Sequence, residues 1–395
     1  MEEIVTGQTL NYTLDGTSKL QYSKPSDPKT SYLTWETIAT WNIGLDMSFL
    51  NNRLTFTGDY FIRNTEGMLA DSYELPGVFG AKTPDENCAD LRTNGWELYL
   101  GWNDSFALMG KRFNYTVSAT LGDNKTVFTK FNNPEKNLSN HYEGKVLGEI
   151  WGYRVDGLFA SDEEAAEYTS KINQDAVNER ILTDKVDPYY RAGDLKLRDL
   201  DGDNVISKGD DTAYDAGDRE IIGNETPRYM YSFRLGADWN GFDLGIFFQG
   251  VGKRDWYPNY LSTGFWGPYS RAFTSFIPEN FMDQCWSEEN RDGYFPRFRG
   301  YQTFAGSQLG VNNDRYLQDA SYIRLKNLTV GYTLPVLKKV FTKLRVYFTG
   351  ENLWYWSPML KHTKYIDPEA AGGNGNTGMA YNYSRNFSVG VDITF

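Results

Sequence analysis

The chain has 395 residues, enough to bury a sizeable core, and a net charge of −12 that leaves no basic face for a nucleic-acid partner. No run approaches the roughly 20 apolar residues of a membrane helix, which excludes a helical membrane protein but not a barrel, whose strands alternate apolar with polar residues. Aromatic residues make up 16 % of the chain, with tyrosine the commonest, as at surfaces where one end of a ring is dry and the other wet, or in strands generally. Cys88 and Cys285 are the only cysteines and allow either a disulfide or two thiols. His141 and His362 lack metal-ligand spacing, no nucleophile–base pair or phosphate loop stands out, and no enzyme is expected.

Taken from the start, Met1-Glu2-Glu3-Ile4-Val5 is neither basic nor apolar enough for an export signal. Trp41, Ile43, Leu45, Met47 and Phe49 then alternate with Asn42, Gly44, Asp46 and Ser48, and Leu54, Phe56, Tyr60 and Ile62 follow across Asn51-Asn52. Trp96, Leu98, Leu100 and Trp102 precede Phe113, Tyr115, Val117, Ala119 and Leu121 across a modest turn. Segment 147–159 alternates too, but a single crossing there breaks the strand order, so it reads as part of an external loop. Ser161, as a cap before Asp162, Glu163 and Glu164, predicts one helix over 161–175. Segments 228–239 and 242–252 meet at Asn240-Gly241, a strong hairpin signal. In 321–334 the apolar phase shifts between Leu325 and Leu328, which calls for a bulge or for a membrane segment that begins near Leu328. Segment 343–354 and the last strand follow, the latter with Phe387, Val389, Val391, Ile393 and Phe395 on one face.

Each run has about the 9–11 residues a tilted strand needs to cross the hydrocarbon layer. Short turns alternate with long connections (64–91, 123–227, 253–320 and 355–384), the pattern of tight periplasmic turns and large external loops. The apolar faces are expected to meet lipid, with Gly44, Asp46, Asn114, Ser118 and Asp392 toward the lumen. The fold class is therefore all-β, an antiparallel transmembrane β-barrel with about nine membrane strands, long external loops and one short loop helix. An odd number of crossings and the absent export signal lead to the expectation that this is the C-terminal portion of a longer barrel, with 123–227 as its large external loop region. The rival is a secreted carbohydrate-binding or hydrolytic all-β protein, which accounts for the aromatics but not for the rhythm of turns and loops.

Several stretches, in order, resemble the SusC/RagA-like family of TonB-dependent outer-membrane transporters: TWETIATWNIGLDMSFLNNRLTFTGDYFIRNTEGML at 34–69, GDLKLRDLDGDNVI at 193–206, SYIRLKNLTVGYTLP at 321–335, LRVYFTGENL at 344–353, Tyr365-Ile366-Asp367-Pro368-Glu369 and the terminal Phe395. The resemblance implies a barrel of about 22 strands with a plug, set in the lipids of the cell outer membrane. It also implies TonB-driven import of an oligosaccharide or peptide ligand with a SusD-like surface lipoprotein, and a part for Phe395 in the assembly signal. The plug and the TonB-contact segment are not among these residues.

Three sets of side chains are candidates for chemistry. Asp199, Asp201, Asp203, the Val205 carbonyl, Ser207 and Asp210 occupy positions 1, 3, 5, 7, 9 and 12 of a calcium loop, offering hard oxygens to a Ca2+ ion. Asn204 stands where such loops have glycine, and an acidic surface turn without metal is the plain alternative. Trp256, Tyr257, Tyr260, Phe265, Trp266 and Tyr269 crowd one loop, where they either meet a ligand or partner or form the loop's own core. Phe395, besides its implied assembly role, can anchor the last strand at the interface.

Overall fold

The computed structural model describes residues 4–13, 19–25, 32–71, 84–182, 187–271, 277, 279–299, 304, 307–335, 342–371 and 382–395. Parts of the long connections expected at 64–91, 123–227, 253–320 and 355–384, the start at Met1 and residues 336–341 lie outside them.

All nine expected strands are present. They are β1 (Thr37–Phe49), β2 (Leu54–Asp71), β3 (Asp85–Leu108), β4 (Lys111–Lys130), β5 (Arg228–Trp239), β6 (Phe242–Lys253), β7 (Tyr322–Leu334), β8 (Lys343–Trp356) and β9 (Asn386–Thr394). They pair in chain order as one antiparallel sheet. Hairpin turns fix that order. Asn240 and Gly241 both have positive φ, as a two-residue hairpin turn requires, and so do Met109 and Gly110; Leu50, Asn51 and Asn52 turn the chain in the same way between β1 and β2.

The two faces divide as alternation predicts. Ile43, Val391 and Val389 (76 % exposed) stand among the exposed apolar residues of one face. On the other, polar side chains join neighbouring strands: Asp46 accepts from Thr57 at 2.7 Å, Asn114 donates to Asp238 at 2.7 Å, and Thr329 and Thr349 lie 3.0 Å apart. We call these the outer and inner faces. The phase shift in β7 is a bulge. Leu325 pairs with Phe248 and Trp354, Asn327 with Phe247 and Glu351, and Lys326 is skipped on both sides. On β8 the ladder passes over Asn352 and Leu353, and Asn352 takes a left-handed φ of 51°. The extra residue keeps Ile323 and Leu325 on the same outer face as Leu328 and Val330.

By contact density the chain divides into two units. The first takes in Met1–Thr40, Arg63–Thr93 and Thr126–Lys145. Its small core is Ala89, Phe128 and Phe131, flanked by Met68 and Leu91, with His141 stacked 4.2 Å from Phe128. The hairpin Ile4–Thr13/Lys19–Pro25 is also here. The second unit takes in Trp41–Ile62, Asn94–Lys125 and Val146–Phe395, and holds the larger core. Cys88 and Cys285 are buried thiols rather than a disulfide.

Segment 147–159 stays out of the nine-stranded sheet, as expected. Glu149–Tyr153 pairs with Arg219–Asn224, and Val155–Leu158 with Leu195–Leu197. The single loop helix expected over 161–175 is corrected: it ends at Thr169, and Asp175–Leu182 (interrupted at Asn178) and the short turns Thr263–Trp266 and Pro268–Arg271 are helical as well. The first, α1, is Asp162–Thr169, with Ser161 Oγ accepting from the Glu164 amide at 3.2 Å. It stops because Asn173 is tied to the acidic loop, its amide donating to the Asn204 carbonyl at 2.9 Å and its carbonyl accepting from Ile206 at 2.7 Å. The second, α2, starts afresh at Asp175–Leu182.

Candidate functional site

The acidic loop folds on its own carboxylates. Asp199 accepts from the amides of Gly202 (2.7 Å) and Asn204 (2.9 Å), Asp201 from Asp203 (3.1 Å), Asp203 from Val205 (2.7 Å) and Ser207 Oγ from Gly209 (3.1 Å). Asn204 has the left-handed φ of 67° that its place in the loop asks for. Of the six expected ligands, Asp199 and Asp201 come together, and the third carboxylate in reach of both is Asp218, with one oxygen from each within 4.8 Å of the others. Asp203 and Asp210 stand outside this trio, and Val205 lies opposite Asn173 at a bridge whose hydrogen bonds run through its neighbours Asn204 and Ile206.

Asp218 falls beyond the twelve-residue loop window, so motif spacing does not reveal it. It is buried, and its two oxygens take the amides of Leu200 (2.7 Å) and Ser207 (2.8 Å), closing the loop. Burial pushes its carboxyl pKa up, and the nearby Asp201 and Asp199 charges add to that. Among the described residues none of the three carboxylates is in an ion pair; Arg198 and Arg219 turn to Asp156 and Asp211. Three acidic oxygens within reach of one another suit a hard metal ion in donor chemistry.

The aromatic loop is a core. Trp256, Phe265, Trp266 and Tyr269 are buried together with Phe281, Phe295 and Tyr316. Trp266 meets Phe265 edge-on at 4.7 Å and donates its indole N–H to the Pro258 carbonyl at 3.1 Å. Tyr257 is half-buried and its hydroxyl donates to the Val311 carbonyl at 3.1 Å. Tyr260 alone of the six points to solvent, at 56 % exposed. Loop packing is therefore the role of most of these rings in this structure.

Beneath this core lies an anchor that spacing could not show. Asp194, fully buried, receives Arg297 Nε at 2.9 Å, Arg299 Nε at 3.3 Å and Gln308 Nε2 at 3.2 Å. Gly193, with φ 84°, leaves room for the Trp286 ring; a Cβ there would sit 2.4 Å from it. On the inner wall Arg345 of β8 reaches across β7 to Asp243 of β6 (2.6 Å) and sideways to Asp392 of β9 (3.0 Å). Gly331 permits this, since a Cβ there would meet Asp243 at 2.5 Å. Phe395 ends the chain with its ring exposed and its carbonyl accepting from Thr342 at 3.3 Å.

Residues 7–200 match the family model described as TonB dependent receptor-like, beta-barrel. The chain is 27 % identical to TonB-dependent receptor P3 of Formosa agariphila, over 97 % of this chain and 36 % of that one. It is 23 % identical to TonB-dependent receptor SusC of Bacteroides thetaiotaomicron, over 95 % of this chain and 34 % of that one. It thus spans about a third of the length of these curated relatives. In fold it superposes on a chain of the RagAB peptide transporter with a TM-score of 0.67 at 23 % identity, over all of this chain and 38 % of that one. The nine-stranded meander with its divided faces and these likenesses agree on the fold of a TonB-dependent receptor β-barrel, and they make the chain similar to SusC/RagA-like proteins.

Proposed function

We propose that this chain supplies a wall and outer loops of an outer-membrane importer for glycan or peptide fragments. Barrels of this family reside in the outer membrane, and the apolar outer face of β1–β9 suits lipid while the hydrogen-bonded polar inner face suits a ligand path. That division of faces is the observation on which the reading rests. The likeness to SusC and to a chain of a peptide transporter supports the substrate class, a SusD-like lipoprotein partner and energy from TonB. In the same reading, Asp199, Asp201 and Asp218 hold a calcium ion that stiffens the loop, Tyr260 offers a ring to ligand or partner, and Phe395 serves assembly. No catalytic chemistry is assigned. The test is uptake of labelled oligosaccharide and oligopeptide mixtures by cells with and without the natural protein, with and without a protonophore. The reading expects loss of uptake in both depleted conditions; uptake that survives loss of the protein overturns it.

A further inference from the structure

The connection after β8 does not stand away from the sheet. Ile323 shares an apolar depression of the outer face with Phe233, Leu235, Ile246 and Phe248, so its neighbour Arg324 lies on the inner face. Arg324 pairs there with Asp367, each only 1 % exposed, and its Nε lies 3.0 Å from Glu369 without the alignment of a hydrogen bond. Lys326, the residue the bulge inserts, binds both oxygens of Glu369 at 2.6 and 2.8 Å. The Tyr355 and Tyr383 rings lie 4.7 and 5.2 Å from the Arg324 guanidinium. Arg254, at the end of β6, donates to the Pro368 carbonyl at 3.5 Å. Three cations thus converge on Asp367-Pro368-Glu369. Asn382 closes the return, accepting from the Asp367 amide at 3.0 Å and donating to the Tyr365 carbonyl at 3.1 Å. On its other side the same segment packs Met359, Ile366 and Ala371 into the aromatic loop core.

We propose that residues 357–371 form a fixed ledge on the inner wall that narrows the ligand path, with Lys326 as the positioning residue that holds it. A segment pinned on one side by the buried Arg324–Asp367 pair and the partly buried Lys326–Glu369 pair, and on the other by an aromatic core, has no cheap open state, because separating Arg324 from Asp367 strands a charge away from water. The bulge explains why a lysine is available: it adds a second inward cation without turning Ile323 or Leu325 away from the outer face. The ledge sets an upper size for what passes, an inference that rests on the import reading.

The test uses Lys326→Glu, Glu369→Lys and the double exchange in the natural protein in outer membranes, with a spin label at Tyr365→Cys, an exposed residue of the ledge. Influx of a bulky antibiotic that the wild type excludes is measured beside it. The label is expected to be as immobile as a strand residue in the wild type and to move on the nanosecond scale of a loop in either single exchange. Influx rises with it, and the double exchange returns both to the wild-type level, which simple misfolding would not do. A label that is mobile in the wild type, or single exchanges that leave label or influx unchanged, overturns the proposal. The label reports without any transported ligand, so a failure of the import reading stays distinguishable from a failure of the ledge.

Discussion

Two glycines of β6, five residues apart, should respond oppositely to the same methyl group. Gly250 lies opposite Tyr231 of β5, whose ring crosses it and whose hydroxyl donates to the Tyr322 carbonyl of β7 at 3.2 Å. A Cβ at Gly250 would sit 2.4 Å from both the Tyr231 ring and that carbonyl, where ordinary contact begins at 3.4 Å, so something must shift by about 1 Å. The carbonyl is held by the strand ladder, and the ring can leave only by giving up its hydrogen bond. Overpacking of about 1–3 kcal/mol, with about 1 kcal/mol for the lost bond, puts Gly250→Ala at about 2–4 kcal/mol of destabilisation. Gly245 faces the inner side, and its Cβ would meet nothing within 4 Å. Gly245→Ala should therefore be neutral or stabilise by up to about 1 kcal/mol, through a less flexible unfolded chain. Urea midpoints and the heating temperature at which the folded band is lost on a gel, in the natural protein, read both. Adding Tyr231→Ala to Gly250→Ala should restore only part of the loss, because the Tyr322 carbonyl remains in the way. Equal effects at the two glycines, or full rescue by Tyr231→Ala, would refute the reasoning.

Calorimetry on the natural protein should show calcium binding that weakens more in Asp218→Asn than in Asp203→Asn, since Asp218 and not Asp203 completes the trio; equal losses would return the loop to its linear motif. The upward-shifted Asp218 carboxyl holds its proton to a higher pH than an ordinary aspartate, so protons displace the ion as pH falls through that raised pKa, and affinity should fall there first. Spin labels at Val117 and Ser118 should report lipid and water respectively; the same environment at both would undo the assignment of faces. Deleting Phe395 should lower the amount of inserted protein, counted by surface labelling, far more than uptake per inserted molecule, and the reverse ratio would place Phe395 in transport instead.

The strands were legible because each side of the wall demands one kind of residue, so Phe113 to Leu121 and Asn114 to Thr120 record the two faces position by position. Even the bulge left a trace, as the phase slip from Leu325 to Leu328. The loops follow no such period. The break after α1 is set by Asn173 meeting Asn204 and Ile206, some thirty residues on, which helix propensity cannot register. The aromatic run 256–269 has the same composition whether its rings meet a ligand or one another, and only the packing decides. Asp218, Asp194 and Asp367 each work with partners far along the chain, so spacing rules written for contiguous motifs pass over them.

The skipped residue in β7 also constrains how this stretch can change over evolutionary time. Losing Lys326 together with the bulge would restore plain alternation and leave Ile323, Leu325, Leu328 and Val330 on one face. Losing a residue elsewhere in the strand while the bulge stays would turn its outer portion over: Ile323 and Leu325 would meet the polar wall and Arg324 hydrocarbon, where a charge costs on the order of 2–4 kcal/mol near the midplane. Insertions and deletions here should therefore be tolerated in pairs, or when the bulge is gained or lost together with its facing irregularity at Asn352 and Leu353. Apart from the bulge residue, length at this end of the strand is heritable by parity, and Asp367 keeps its partner only while Arg324 stays inward.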